Sequence, residues 1–226
     1  MAKKLKKNTG KGLIAPGHTS HHSVEETLSL CGALIRVSPK KSVAYADKAS
    51  YVDADGRKPY LRFGLVRMVE AAQYSAVLSF LAERLAKRIG EADSLLAFPG
   101  ELGGESFACM LSVKAKCGIV YAVADGTEFR IESEVSKKEK IVIVLLTLSD
   151  SDMPRLLKLV ETVSEAGGIV VGVACVVNDT LSVRDELRVS ERRTVPVISL
   201  LSPGIPKYRW DEPEVSNVVG PDGTIM

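Results

Sequence analysis

The sequence predicts an α/β fold in which helices cover both faces of a mostly parallel sheet. Its most informative segment, residues 141–178, combines an apolar strand, a short polar loop, a helix ending at Ala166-Gly167-Gly168 and a second apolar strand. Parallel strands joined in this way need a right-handed crossover. Apolar strands and helical segments also alternate along much of the remaining chain. The apolar fraction of 46% is enough for a full core, and the aromatic fraction of 5% indicates aliphatic packing.

The first half of the chain supplies two helices and two short strands. The segment Ser23-Val24-Glu25-Glu26 is a capping box, in which Ser23 caps the first helix and Glu26 reaches back. Segments 41–46 and 49–53 alternate like the strands of a small hairpin. Residues 65–89 are predicted to form one long amphipathic helix, with an apolar stripe of Val66, Val69, Leu78, Leu81, Leu85 and Ile89.

The second half continues the alternation of strands and helices. A buried strand at 94–98 leads into a loop that contains glycine, and a helix follows to about residue 116. The other predicted elements are an apolar strand at 118–123, a loop or exposed hairpin at 124–140, the unit at 141–178, a short charged helix at 181–192 and a last strand at 195–201.

The 226 residues suit one domain with two irregular ends. Residues 1–22 lack apolar periodicity, and we expect a flexible basic arm there. Residues 23–202 form the predicted domain, and residues 203–226, rich in Pro and Gly, form an irregular tail. The lysines of the arm precede the first acid and are candidates for contacting nucleic acid: Lys3, Lys4, Lys6, Lys7 and Lys11. A tail that only aids solubility is equally compatible, because no aromatic residue is interleaved for base stacking.

Composition excludes several classes of protein. No apolar run of 18 residues is present, so we expect no membrane helix. The lysines at the amino terminus are not followed by a hydrophobic run, so we expect no secretory signal. The four cysteines are far apart and form no CxxC pair, which favours buried thiols in a reducing cytoplasm over disulfides or zinc. His18, His21 and His22 have the spacing of a helical zinc site, but a solvated arm explains them better.

Four segments, in the same order, carry a resemblance to a known family. They are Cys31–Ile35, the segment ADKASYVD at 46–53, Leu95–Cys109 and Ile141–Val177. They resemble the first helix, the hood segment, the pyrophosphate loop and the signature motif of the type I phosphoribosyltransferases, in particular the orotate branch. The resemblance extends from Val24 to Leu201. It implies a phosphoribosyltransferase-type parallel sheet with a small hood subdomain at about 36–62.

The family's chemistry requires an acidic pair after the signature strand, which holds the ribose hydroxyls. This chain has Leu145-Leu146 at that place, and leucine neither accepts a hydrogen bond nor carries charge. The resemblance also implies a cradle of backbone N–H groups around a phosphate. The corresponding segment has no glycine, and its two acids, Asp150 and Asp152, oppose a dianion. The donors left in it are the hydroxyls of Thr147, Ser149 and Ser151.

Two further elements of the family can be compared. The counterpart of its mobile lid, residues 124–140, contains Arg130, Lys137, Lys138 and Lys140 but no histidine. The counterpart of its pyrophosphate loop offers Gly100, Gly103 and Gly104, flanked by Glu101 and Glu105, which have the wrong charge. Lys48 matches the hood lysine that approaches the base and phosphates in the family.

Asp150 and Asp152 admit three interpretations. They are candidates for binding Mg²⁺, and a two-residue shift would let them replace the missing acids. The third interpretation is structural, because Asp152 precedes Met153-Pro154 and is in place to cap the next helix.

Three functions follow from these observations. The first is an orotate phosphoribosyltransferase-like protein that is non-catalytic or altered and binds a nucleotide-like ligand or a macromolecular partner. The second is an active transferase that joins a nucleobase such as orotate to phosphoribosyl pyrophosphate with Mg²⁺. The third is an RNA- or ribonucleoprotein-binding factor that uses the basic arm. The resemblance also implies a homodimer.

Overall fold

A computed structural model describes residues 22–36, 61–62, 64–126, 128–180, 183, 185–191, 193–203 and 207–208. The lysines of the basic arm, Lys48 with most of the expected hood, and nearly all of the C-terminal tail lie outside the described residues. Their assignments therefore stay predictions.

The described elements alternate between helix and strand for much of the chain. In chain order they are α1 (Val24–Leu30), β1 (Leu34–Arg36), β2 (Leu61–Arg62), β3 (Gly64–Val66), α2 (Met68–Ala72), α3 (Ser75–Ala86), β4 (Ser94–Ala97), α4 (Gly104–Ala115), β5 (Gly118–Val120), β6 (Ala122–Asp125), β7 (Glu128–Ile131), β8 (Lys140–Leu148), α5 (Met153–Glu165), β9 (Ile169–Asn178), β10 (Glu186–Ser190), β11 (Arg193–Leu201) and β12 (Lys207–Tyr208).

The main sheet has six strands in the order β10-β11-β9-β8-β4-β5. Five of them run parallel, and β10 pairs antiparallel with β11 at one edge. The pairs β1–β3, β2–β12 and β6–β7 form separate two-stranded sheets. The expected mixed α/β fold with a mostly parallel sheet and flanking helices is therefore confirmed.

Two core layers lie on the two faces of the sheet. The first layer packs α1, α3 and α4 against the sheet, and the second packs α5 and the β6–β7 hairpin against the other face. Strand β8 contributes to both layers, because successive side chains of a strand point to opposite faces. Val142, Val144 and Leu146 belong to the first layer, and Ile141, Ile143 and Leu145 belong to the second.

Two predicted elements were wrong. Residues 65–89 do not form one helix, because residues 64–66 pair with β1 as β3 and the remainder is split into α2 and α3. Strand pairing with a distant segment overrides the local helical pattern here. The charged helix predicted at 181–192 is wrong, because Glu186–Ser190 form β10, in which Leu187 pairs with Val195 of β11 and is buried.

Other local predictions had mixed outcomes. The hairpin alternative for 124–140 is confirmed in part, because β6 and β7 form a hairpin at 122–131. The capping box at Ser23 is present, with the Glu26 N–H donating to Ser23 Oγ and the Ser23 N–H donating to Glu26. Burial of the thiols holds for Cys175 but not for Cys109, which is exposed on α4. Among the described residues, no helix is both long enough and apolar enough to span a membrane.

Candidate functional site

The carboxyl edge of the parallel strands brings together three connecting segments. The loop after β4 (residues 98–103), the turn after β8 (residues 149–152) and the end of β9 follow neighbouring strands of one sheet. Carboxyl ends of parallel strands meet at the same edge, which is where ligands bind in open α/β sheets. The predicted glycines and the predicted Ser/Asp residues therefore lie at one edge.

The carboxylate of Glu101 is bound at the end of β8. The Leu146 N–H donates to Glu101 Oε2 at 2.7 Å, and the Thr147 N–H donates to Glu101 Oε1 at 2.9 Å. Strand β8 extends beyond the last residue that pairs with β4, which leaves these amides without a strand partner on that side. One side chain thus occupies two adjacent backbone donors.

Glu101 is an acid in an unfavourable environment. Burial raises the pKa of its carboxyl from 4.5 to about 7, the two backbone N–H donors oppose that shift, and the nearby Asp152 adds to it. Desolvation disfavours the charged form of an acid, and a neighbouring carboxylate does the same. In the part of the chain that the structure describes, no lysine or arginine forms an ion pair with Glu101.

The glycines of this loop allow Glu101 to turn back onto β8. Gly100 and Gly103 have φ values of 86° and 81°, a region that favours glycine. A Cβ on Gly103 would lie 2.6 Å from Ala72 Cβ, so only glycine permits this packing. A Cβ on Gly104 would lie 3.1 Å from Glu101 Oε2. These glycines, expected in a pyrophosphate loop, here shape the seat of a carboxylate.

The leucine pair is part of the hydrophobic core. Leu145 is 1% exposed and lies in the second core layer, whereas Leu146 is 0% exposed and lies in the first. Leu146 also approaches the position that a Cβ of Gly103 would take, at 3.6 Å. Neither side chain offers a polar atom to the carboxyl edge.

The turn after β8 is held by its own polar groups. Asp152 Oδ2 accepts hydrogen bonds from the Ser149 N–H at 3.0 Å and from Ser149 Oγ at 2.5 Å. The hydroxyls of Ser149 and Ser151 lie 2.8 Å apart. Asp152 is the N-cap residue of α5, as expected, but its side chain makes no capping hydrogen bond to that helix and instead closes a capping box with Ser149. Pro154 lies in the first turn of α5, as expected.

Arg155 of α5 joins the loop after β4 to the β6–β7 hairpin. Its Nη2 donates to the Pro99 carbonyl at 2.9 Å. Its guanidinium lies 5.0 Å from the ring centroid of Phe98 and 5.6 Å from that of Phe129. Phe129 is only 8% exposed, and Glu128 beside it forms a 3.2 Å ion pair with Lys158. The hairpin is thereby packed against α5.

The lysines of the expected lid do not lie at the carboxyl edge. Lys140 is the first residue of β8, and Lys137 and Lys138 precede it, so all three are at the amino end of that strand. Lys140 Nζ lies 3.8 Å from Glu91. Arg130 forms an ion pair with Glu132, its near neighbour on the hairpin.

Residues at the end of β9 complete the edge, and sequence reasoning missed them. Asn178 and Asp179 are polar but only 5% and 6% exposed. Asn178 Nδ2 donates to the Val183 carbonyl, and the Asp179 N–H donates to the Leu148 carbonyl. Glu101 and Arg155 were also missed in these roles, because their contacts are with backbone or with rings distant in sequence.

Two other features bear on ligands. Among the described residues, no three His, Cys, Asp or Glu side chains come together as a metal site requires. An open groove of about 610 Å³ lies at the amino edge of the sheet, lined by residues including Asp93, Cys117 and Lys140. That groove is at the opposite end of the strands from Glu101.

The comparisons with known proteins agree with this architecture. No family profile matches the sequence, and no curated protein is significantly similar to it. Orotate phosphoribosyltransferase from Aeropyrum pernix superposes with a TM-score of 0.55 at 17% identity, over 80% of this chain and 93% of that one. Adenine phosphoribosyltransferase from Saccharomyces cerevisiae gives 0.53 at 14% identity, over 79% and 99%.

A longer protein gives a similar score. UMP synthase from Leishmania donovani superposes with a TM-score of 0.56 at 14% identity, over 80% of this chain but only 36% of its own length. The chain thus spans about a third of that protein. These likenesses confirm the phosphoribosyltransferase-type fold that the sequence predicted.

Proposed function

We propose that this protein is a phosphoribosyltransferase-fold protein that does not transfer phosphoribosyl groups and instead binds a nucleotide-like ligand at its carboxyl edge. The observation that carries the proposal is the burial of Leu145 and Leu146, one in each core layer, where the resembling family has its acidic pair. Leucine cannot bind ribose hydroxyls or stabilise developing positive charge.

The state of the cradle supports the same proposal. Glu101 already accepts from the amides of Leu146 and Thr147, and Asp152 already accepts from Ser149. A phosphate would have to displace these carboxylates or lie beside them, and like charges at close range oppose binding. The expected lysines of the lid, Lys137, Lys138 and Lys140, are at the other end of β8.

The nucleotide-like ligand is proposed from the structural neighbours. Two of them are named for orotate and adenine phosphoribosyl transfer, and the yeast structure was solved with adenine. Thr147, Ser149 and Ser151 supply hydroxyl groups for such a ligand, and Gly100 supplies backbone close to Arg155. A homodimer in the cytoplasm is part of this proposal.

The proposal is tested by measuring ligand binding and turnover on the same full chain. Thermal unfolding is followed with phosphoribosyl pyrophosphate, orotate, orotidine monophosphate and adenine, each with and without Mg²⁺. A ligand at 100 times its dissociation constant adds about 2.7 kcal/mol of stability, which raises the midpoint of thermal unfolding by roughly 5–11 °C for a chain of this size. Pyrophosphate release is measured beside the Aeropyrum pernix enzyme as positive control.

We expect stabilisation by at least one nucleobase or nucleotide and no pyrophosphate release above background. Mg²⁺-dependent release of pyrophosphate would contradict the proposal. Its loss in Asp152→Asn would then assign the missing acidic function to the turn after β8. The alternative function is RNA binding through the basic arm. It predicts an affinity for RNA that falls steeply with salt and with deletion of residues 1–12.

A further inference from the structure

We propose that the amides of Leu146 and Thr147 form a carboxylate-binding site, that Glu101 closes this site in the present structure, and that a ligand carrying a carboxylate takes the place of the Glu101 side chain. This inference rests on the proposed function, because it names the chemical class of the group that the carboxyl edge accepts.

The geometry of the two amides matches a carboxylate. The N–H groups of two consecutive residues each reach a different oxygen of the same carboxylate, at 2.7 Å and 2.9 Å. Hydrogen bonds between backbone N–H groups and an ionised acceptor are shorter and stronger than those between neutral groups. An external carboxylate with the same two oxygens can reproduce both bonds, so Glu101 serves as a built-in copy of the ligand.

The surrounding charges favour a monoanion over a phosphate dianion. Asp152 and Glu101 are both carboxylates, and Asp152 is close enough to raise the pKa of the Glu101 carboxyl. No ion pair with a cation offsets them among the described residues. Because Coulomb repulsion grows with the charge of the ligand, a singly charged carboxylate is disfavoured less than a dianion.

The loop is built so that Glu101 can leave. Gly100 and Gly103 flank it with positive φ values, and glycine changes such angles at the least steric expense. Leu102, next to Glu101, is 71% exposed and does not anchor the loop in the core. The N–H groups of Leu146 and Thr147 need a hydrogen-bond acceptor, since unpaired buried N–H groups are strongly disfavoured. Departure of Glu101 therefore requires another acceptor.

The experiment removes the built-in carboxylate and supplies one from solution. Glu101→Ala in the full chain is titrated with sodium acetate, and the midpoint of thermal unfolding is recorded. Acetamide serves as the neutral control of the same shape, sodium chloride as the control for ionic strength, and sodium phosphate as the dianion. Glu105→Ala, which removes an exposed glutamate of α4, is the matched variant.

We expect acetate to raise the midpoint of Glu101→Ala in a saturable manner, with a smaller rise for phosphate and none for acetamide or chloride. Wild type and Glu105→Ala should show no saturable rise, because Glu101 still fills the site. Resonances of the Leu146 and Thr147 amides should shift with acetate in Glu101→Ala. If that variant does not fold alone, acetate but not acetamide should restore its refolding.

An equal response to acetate, acetamide and chloride would overturn the inference, as would acetate-dependent shifts that spare both amides. A larger rise with phosphate than with acetate would overturn the assignment to carboxylates. The outcome is separate from that of the proposed function, which fails on pyrophosphate release by the wild-type protein whatever acetate does to the variant.

Discussion

Replacing Glu101 by glutamine removes one titrating group while keeping the length of the side chain. The folded protein raises the pKa of this carboxyl from 4.5 to about 7, mainly through burial. An acid whose folded pKa is raised contributes most to stability at low pH, where it is protonated. That contribution is lost as the pH rises from about 4.5 towards 7.

The size of the effect follows from the width of this interval. Each pKa unit corresponds to about 1.36 kcal/mol. The free energy of unfolding of wild type, minus that of Glu101→Gln, should therefore fall by about 3 kcal/mol between pH 4.5 and 7. Below pH 4.5 and above pH 7 this difference in the free energy of unfolding should not change with pH. Asp152 and Cys175, the titratable groups beside Glu101 in the described part of the chain, are present in both proteins.

The assay is urea denaturation of both proteins at half-unit intervals from pH 4 to about 9, with the difference between the two stability curves as the readout. Glu105→Gln is the control, and its difference from wild type should stay level, because Glu105 is exposed. A level difference for Glu101→Gln would refute the reasoning that burial of this carboxyl is only partly compensated. A difference that increases with pH would mean that the folded protein lowers the pKa of Glu101 instead of raising it.

Three further predictions concern the packing around the carboxyl edge, each measured by urea denaturation. Leu146→Asp should destabilise by about 4 kcal/mol or more, because it buries a charge, whereas Leu157→Asp at a site 38% exposed should lose about 1 kcal/mol; similar losses would argue against a dry core at Leu146. Arg155→Met should lower the free energy of unfolding by about 2 kcal/mol, because it removes the hydrogen bond to the Pro99 carbonyl and the two ring contacts. An unchanged free energy of unfolding would mean that other contacts hold the hairpin. The loss of stability in Gly103→Ala should exceed the loss in Gly126→Ala by about 1–3 kcal/mol, since both glycines have positive φ but only Gly103 is crowded. Equal losses would show that the neighbours of Gly103 move to relieve the crowding.

The unit at 141–178 was predicted well because its signals are local. An apolar run, a proline in the first helical turn and glycines after the helix specify β8, α5 and β9 without reference to distant residues. The helix predicted at 65–89 failed for the opposite reason. Residues 64–66 pair with a strand about 30 residues earlier in the chain, and the local sequence of neither strand indicates that pairing.

The sequence predicts that the loops after β4 and β8 meet at one edge of the sheet, but it does not predict the contacts made there. The edge and its glycines follow from the order of strands and loops, and the leucine pair is visible in the sequence. The contact that fills the edge is not, because Glu101 is bonded to backbone N–H groups 45 and 46 residues away. Every residue except proline has such a group, so an available backbone donor leaves no trace in the identity of the residue. Glu101 was noted only as a charge of the wrong sign.

The two leucines at the end of β8 also limit which sequences can be reached from this one by single substitutions that keep the protein stable. Leu145 and Leu146 face opposite sides of the sheet, so water admitted to one position does not hydrate the other. A polar substitution at either position meets its own closed core, and the first change does not make the second easier. Single substitutions therefore offer no gradual route from this chain to one with an acidic pair. Both core layers would first have to be reopened, by changes whose only immediate effect is a less stable protein.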